Sequence, residues 1–459
     1  MSISGKNISK GSNKAFVPSA YRLEFIEMTN HKGDVKDIQN IVVNMSITES
    51  IYSQSLVLSL TLKDSTNFIE EFQIIGQEKI RIKISYKKRN GKEKTLDLKF
   101  FVSEYPTFGS SEKQAYIQII RLMGISEQSY ISNQKKISKS YSNNSAKEIE
   151  NILKKELNLP DNKFKTTIDP YLAISSSKGI INKQRPMDVI EWFRKQTFDQ
   201  YQSPFFLFQT LNGKFKLFSL ASMTDDNINK VFDTYFDKRE GMTLPATGAL
   251  TEEEYRQREV TIISVSSDLK LNKSIQARRG AFASRNNFLD YSNKSYTTID
   301  YDYNLNFLNK DRPTLEGKGI LSEEFKIGDN VLTDFKNAHC EYISLNSKAF
   351  SENSSNYNSM SKGSREFLNA YNSLLNTITH DVTLNGNFKL NAGRKIKLVF
   401  PKSIDPLAYR KYTDGKSTEA HINKFLSGKY LITSAIHEFE NDEYYVKIRV
   451  KKDSFSIDL

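Results

Sequence analysis

The side chains best equipped for chemistry are five histidines (His31, His339, His380, His421 and His437) and a single cysteine, Cys340. A zinc site needs His, Cys or carboxylate ligands at short fixed spacings. None of the five has such a neighbour, and no HExxH run occurs. His437-Glu438 invites a general-base reading. However, Glu438 closes an alternating run beside the turn residues Asn441-Asp442, which favours a structural histidine near a strand end. His339 and Cys340 would make a nucleophile pair, but consecutive strand residues point to opposite faces. The acidic pairs Glu70-Glu71 and Glu323-Glu324 lie in polar surroundings and read as solvated faces rather than acid–base couples. There is no GxSxG, no Walker-type phosphate loop and no GxGxxG after a strand. Phe205-Phe206 and Tyr444-Tyr445 carry rings that can stack on bases. Phe205-Phe206 is better read as core plus interface, and the lone Trp192, beside Phe193 on a helix, as packing. No catalytic, cofactor-binding or metal site is expected, and the chain reads as a non-enzyme.

Composition narrows the classes further. At 459 residues the chain exceeds one ordinary domain. Its 29 Phe and 23 Tyr supply material for cores. No run approaches the ~20 apolar residues that cross a bilayer, the first residues lack the apolar core of a secretion signal, and one cysteine allows no intrachain disulfide. These features point to a protein made and folded in a cytosol, with no membrane insertion. Net charge is +12. Residues 1–128 carry 18 Lys/Arg against 14 Asp/Glu, residues 129–377 carry 34 against 30, and residues 378–459 carry 14 against 10. The excess is therefore +4 in each part. A nucleic-acid binder concentrates its charge in one module or stripe, so the even spread reads as a mildly basic surface, unless folding gathers it on one face.

The elements that would position any functional groups follow from periodicity. Residues 1–15 are polar and read as a flexible arm. Period-two alternation then begins, with Ile41, Val43, Met45 and Ile47 on one side of a strand. Leu56, Leu58, Leu60 and Leu62 follow, then Ile80, Ile82, Ile84 and Tyr86. Asn90-Gly91 suits a tight hairpin, and the return strand carries Leu96, Leu98, Phe100 and Val102. Strict alternation over this many strands predicts an antiparallel β-barrel over 16–128. Residues 129–256 read as an α+β insertion. Ser145 is placed to cap a helix with Glu148 three residues on, and Pro160 stops it. A second helix starts at Pro186, and two strands are joined by Asn212-Gly213. Residues 221–256 look like linker and loop. Residues 257–377 form an extension with weak strands, a polar loop at 348–363 and a helix, contributing to a second antiparallel barrel over 378–459. The fold class is thus β-rich α+β, with two barrels flanking and interrupted by a mixed domain.

Several dispersed patches carry a resemblance. They are EFQIIGQEKIRIKISY with Gly76-Gln77-Glu78 before a strand, RPMDVIEWFRKQTFDQYQSPFFLFQTLNGKFKLFSL over 185–220, and GAFASRNNFLDYSNKSY over 280–296. Two more follow: SREFLNAYNSLLNTITHDVTLNGNFKLNAGRKIKLVFPK and LSGKYLITSAIHEFENDEYYVKIRVKKDS. Together, in order and spacing, they resemble the central baseplate hub proteins of contractile-tailed, T-even-like bacteriophages. Residues 348–363 and 401–425 depart from the pattern as loop insertions. The resemblance implies tail-tube-like barrels and a homotrimer whose six barrels form a ring joining a threefold spike to a sixfold tail tube. The implied partners are the spike (with a lysozyme activity on the spike, not here), the tube or its initiator, and the baseplate wedges. Tape-measure protein and DNA would pass through the channel, and the location would be the virion tail baseplate. The alternatives are a hub of a bacterial contractile injection system and, from another class, a barrel-based adhesin or single-stranded nucleic-acid binder.

Overall fold

The computed structural model describes residues 19–65, 67–87, 92–104, 108–110, 118–142, 144–166, 179–195, 197–237, 259–308, 312–316, 319–322, 324–345, 367–402, 422–440 and 442–456. The arm at 1–15, Asn90-Gly91, the stretch 348–363 and residues 403–421 of the stretch 401–425 lie outside them.

The N-terminal strands are β1 Tyr21–Thr29, β2 Val35–Asp37, β3 Val42–Ser50, β4 Val57–Asp64, β5 Lys79–Lys87, β6 Glu93–Glu104, β7 Phe108–Ser110 and β8 Gln118–Ser126. They pair antiparallel in the order β2-β1-β5-β6-β8-β4-β3, with β7 against β8. Leu58, Leu60, Leu62, Ile80, Ile82 and Ile84 are buried on one face, as their spacing predicts. Strand β3 departs from the expected pattern. A register shift between Val42 and Asn44 puts Val42, not Val43, on the buried side with Met45 and Ile47. One extra residue in a strand reverses the facing of everything before it. Among the described residues no ladder joins β1 to β3. The Ile38 N–H donates to the Ile26 carbonyl at 2.8 Å beside that gap.

A short helix, α1 Phe68–Phe72, connects β4 to β5, and the middle region comprises α2 Glu127–Gln134, β9 Ile137–Tyr141, α3 Ser145–Lys155, β10 Phe164–Thr166, β11 Gly179–Gln184, α4 Pro186–Lys195, β12 Phe205–Gln209, β13 Phe215–Ser219 and α5 Leu220–Thr224. It has a core of its own, in which Ile149, Ile152 and Leu153 of α3 meet Val189, Ile190 and Phe193 of α4 over Phe205, Leu207, Phe215 and Leu217. Helix α3 is capped by Asn144, whose side chain accepts the Ala146 N–H at 2.8 Å, so Ser145 is its first residue rather than its cap. Trp192 is half-buried, edge-on to Tyr141 and Phe193.

The C-terminal part holds β14 Val231–Asp237, β15 Thr261–Leu269, α6 Lys273–Arg278, β16 Ala283–Asp290, β17 Ser295–Asp302, β18 Cys340–Leu345, a helical segment at 367–374, β19 Ile378–Asn385, β20 Lys395–Val399, β21 Gly428–Glu440 and β22 Glu443–Lys452. Six of these strands close a ring, β21-β20-β14-β15-β19-β22 and back to β21. Two expectations are corrected here. The stretch 221–256, read as linker and loop, supplies β14 to the ring. The ring is also mixed rather than wholly antiparallel, because β14 runs parallel to both β15 and β20. A parallel neighbour needs a long return connection, and 23 residues, 238–260, separate the end of β14 from the start of β15 in the sequence. A separate sheet, β17-β16-β18, lies outside the ring.

Candidate functional site

The functional geometry centres on the seam between the N-terminal sheet and the closed ring. Strand β3 offers its free edge to β21, in register from Asn44↔Glu440 to Ser50↔Ser434. The ladder continues past the strand end, where the Ile51 N–H donates to the Thr433 carbonyl at 2.9 Å. Pairing removes an edge that would otherwise recruit other chains.

Glu49 secures the seam. Met45, Ile47 and Glu49 share the inward face of β3, so a carboxylate sits where an aliphatic residue is expected; it is 1% exposed. One oxygen accepts the Ala392 N–H at 2.7 Å and the other the Leu211 N–H, also at 2.7 Å. A single side chain thereby ties the N-terminal sheet to the middle region and to the ring. Charge-assisted bonds to backbone amides are what make a buried carboxylate tolerable. His437 Nε2 lies 3.8 Å from Glu49, and His437 Nδ1 meets the Tyr444 hydroxyl at 2.8 Å.

Aromatic rings fill the space alongside. Tyr21 of β1 stands edge-on to Phe439 and Tyr444, with centroids 5.1 and 5.9 Å apart, and Tyr86 of β5 stacks on Phe388 at 4.3 Å. Phe388 in turn packs on Tyr444 at 4.5 Å. Gly386 is required by this packing, since a Cβ there would lie 2.1 Å from the Tyr444 ring. At the far side of the N-terminal sheet, the Gly76-Gln77-Glu78 turn is held by the buried Glu78 carboxylate. It accepts the N–H groups of Ile75 at 2.6 Å and of Gly76, which takes φ +89°.

The ring carries buried cations. The Lys395 ammonium, with no exposure, donates to the Thr224 carbonyl at 2.7 Å and pairs with Asp226, which also takes Lys429. Lys452 is equally buried. It donates to the Ser427 carbonyl at 3.1 Å and to the Ser456 hydroxyl, and burial pushes it down to about 8. A cleft of about 460 Å³ opens between the β3–β4 turn and the middle region. It is lined by Tyr52, Gln54, Asn133, Glu191, Arg194 and Phe206 among others. Two of its charged groups satisfy each other: Arg194 grips Glu191, which also accepts from Gln54 at 3.0 Å.

The side chains singled out in the sequence scatter. His437 is buried in β21 at the seam. His380 is buried in the ring, where the Tyr430 hydroxyl gives its proton to the Leu426 carbonyl and so accepts from His380 Nε2 at 3.0 Å. Nδ1 then accepts from Ser267 at 2.7 Å, and burial depresses the imidazole to about 4. His339 contacts the Arg278 carbonyl and Glu341, each at 3.0 Å, whereas the Cys340 thiol is met by Asn287 at 3.3 Å; the two do not interact. His31, Glu70, Glu71 and Glu324 are exposed, and His421 and Glu323 lie outside the described residues. Phe205 and Phe206 are buried, as is Tyr444. Among the described residues no group of three or more His, Cys, Asp or Glu is placed to hold a metal, and no helix is long and apolar enough to cross a membrane. Glu49, Lys395 and Lys452 were not singled out in the sequence. The available signal for Glu49 was its parity with Met45 and Ile47.

No protein-family model matches the chain, and no curated protein matches it in sequence. Solved structures do match in fold. The chain is similar to a tail protein from Neisseria meningitidis, at 9% identity over 94% of this chain and 97% of that one, with a TM-score of 0.51. It is also similar to the 43 kDa tail protein of prophage MuSo2 from Shewanella oneidensis, at 11% identity over 94% and 98%, with a TM-score of 0.50. At these identities the likeness is one of fold: the chain shares its overall architecture with two tail proteins, one of them from a prophage.

Proposed function

We propose that this chain is the hub of a contractile-tail baseplate. Three copies would close into a ring of six barrel-like units that joins a threefold spike to the sixfold tail tube. The supporting observation is the β3–β21 ladder. It sets the one-face-buried N-terminal sheet edge to edge against the closed six-strand ring within one polypeptide, with Glu49 and the Tyr21–Phe439–Tyr444 rings fixing their relation. Residues 16–128 act as the first tube-like unit. Strand β14 with the later ring strands between 257 and 459 makes the second, and the middle region between 129 and 224 packs outside them. Two related units per chain, repeated by a threefold axis, present near-sixfold symmetry to a tube and threefold symmetry to a spike. The role is geometric rather than catalytic. The partners are the spike, the tube or its initiator and the wedge proteins, with tape measure and DNA passing through the channel of the virion tail baseplate.

Light scattering on the purified chain, alone and mixed with its spike partner, is expected to give a trimer or a defined trimeric complex. Electron-microscopic class averages down its axis should have six lobes around a pore. A chain that stays monomeric with the spike present, or an assembly without six lobes, overturns the reading. Peptidoglycan clearing by the isolated chain would move it to the hydrolases.

A further inference from the structure

Positive charge is diluted evenly along the sequence, yet folding gathers part of it in one place. Lys163 ends a short helical turn immediately before β10, and β10 pairs in parallel with β13 so that Lys165 stands beside Lys216. Lys216 and Phe218 alternate on β13 and share a face, with Lys214 two residues earlier at the strand's start, each on the order of 7 Å from the next. The contacts agree with that placement. The Lys165 and Lys216 ammonium groups lie 5.7 and 5.8 Å from the centre of the half-buried Phe218 ring. At the turn before β13, the Asn212 carbonyl accepts Lys163 Nζ at 2.9 Å, and the Asn212 side chain accepts Lys94 Nζ at 2.6 Å, which brings in a cation from β6.

Among the described residues this charge has no ion-pair partner: none of Lys163, Lys165, Lys214 and Lys216 forms an ion pair with a carboxylate. Of the described acids that act on these lysines, Asp97 is committed to Arg81 at 2.6 Å and Glu49 to two backbone amides. Burial, then the neighbouring Lys214, depresses Lys163. Lys216 is pushed down to about 8, chiefly by burial, with Arg394, Lys165 and Lys214 adding to the effect against the opposing pull of Glu49. Like charges held this close weaken the fold, and a bound polyanion would offset that cost.

We propose that the face bearing Lys163, Lys165, Lys214, Lys216 and Phe218 binds the phosphate backbone of a single-stranded nucleic acid. Two parallel rows of ammonium groups, spaced at the strand repeat, suit a linear chain of phosphates better than scattered carboxylates on a folded partner. The Phe218 ring at the end of the row offers a stacking surface for a base. Lysine supplies strong charge without sequence readout, so the binding is indifferent to base sequence.

The test uses the full chain and a fluorescein-labelled single strand of about 20 nucleotides, titrated by anisotropy over a series of salt concentrations. Lys165 and Lys214 are exposed, so the double variant Lys165→Gln/Lys214→Gln leaves the core intact. It is expected to bind about tenfold more weakly and to lose about 1.4 from the salt slope, two contacts at ~0.7 each. The control double variant Lys32→Gln/Lys63→Gln removes two exposed lysines of the N-terminal sheet and is expected to bind like the parent. Absence of salt-sensitive binding, an equal loss in the control, or displacement by poly-glutamate as effective as by unlabelled oligonucleotide overturns the proposal. The last outcome would assign the face to an acidic protein instead. The outcome is separable from that of the ring: a monomer that binds the strand sinks the hub and leaves this face standing, and a six-lobed trimer that ignores it does the reverse.

Discussion

The Glu49 carboxylate accepts the N–H of Ala392, 343 residues away in the sequence, at 2.7 Å, in a site that water does not reach. Its second oxygen does the same for Leu211. Three regions of the polypeptide therefore depend on one side chain for the satisfaction of their buried polar groups.

Replacing Glu49 tests this dependence. Glu49→Ala strands two buried amides, each costing roughly 1–3 kcal/mol, so a loss of about 2–6 kcal/mol is expected in urea unfolding. Glu49→Gln keeps one acceptor oxygen and should lose less. Equal midpoints for Glu49→Ala and the parent would show that the clasp contributes nothing.

Gly386 tests the aromatic packing at the seam. Its missing Cβ would stand 2.1 Å from the Tyr444 ring, so Gly386→Ala forces the ring or the backbone aside at a cost of about 1–3 kcal/mol or more. Shrinking the obstacle with Tyr444→Leu should make the alanine cheaper to accommodate. In a double-mutant cycle the two changes are expected to couple by more than about 0.5 kcal/mol; strict additivity would contradict the packing.

Gly76 offers the opposite case. Nothing lies within 4 Å of a Cβ built there, and only its φ of +89° opposes a side chain. Gly76→Ala keeps the N–H that Glu78 accepts, so the expected cost is conformational alone, about 1–2 kcal/mol. A melting temperature unchanged from the parent would refute a requirement for the left-handed conformation.

His380 links stability to pH. Burial first, then the Lys452 charge, lowers its folded-state value from 6.5 to about 4. Above pH 6.5 the imidazole is neutral folded or unfolded. Between about 6.5 and 4 the unfolded chain takes up a proton that the folded chain refuses, so stability falls with pH across this window and levels off below it. The contribution is on the order of 3 kcal/mol. Urea midpoints measured from pH 7.5 down to 4 should fall more steeply for the parent than for His380→Gln; parallel curves would remove His380 as the cause.

Local patterns were readable where the physics is local. Alternation put Leu58, Leu60, Leu62 and Ile80, Ile82, Ile84 on the buried face because a strand's side chains alternate whatever lies across the sheet. Pro186 opens α4 because its fixed φ and missing N–H suit a first turn. The cap of α3 was misplaced by one residue, since both Asn144 and Ser145 carry capping oxygens and only the backbone geometry chooses between them. The candidate site was less legible. His437 and Tyr444 could be named, but not the fact that a carboxylate from β3 lies beside them.

By itself, then, the sequence determined the β-rich class, the buried faces of most N-terminal strands and the helices α3 and α4, because each depends on interactions a few residues apart. Only the tertiary structure decided that β14 enters the ring in parallel, that β3 gives its edge to β21, that Val42 rather than Val43 turns inward, and that lysines from distant segments share one face. Those outcomes rest on pairings between residues separated by tens to hundreds of positions. A one-residue slip in register or a different choice of neighbour would satisfy the same local pattern equally well.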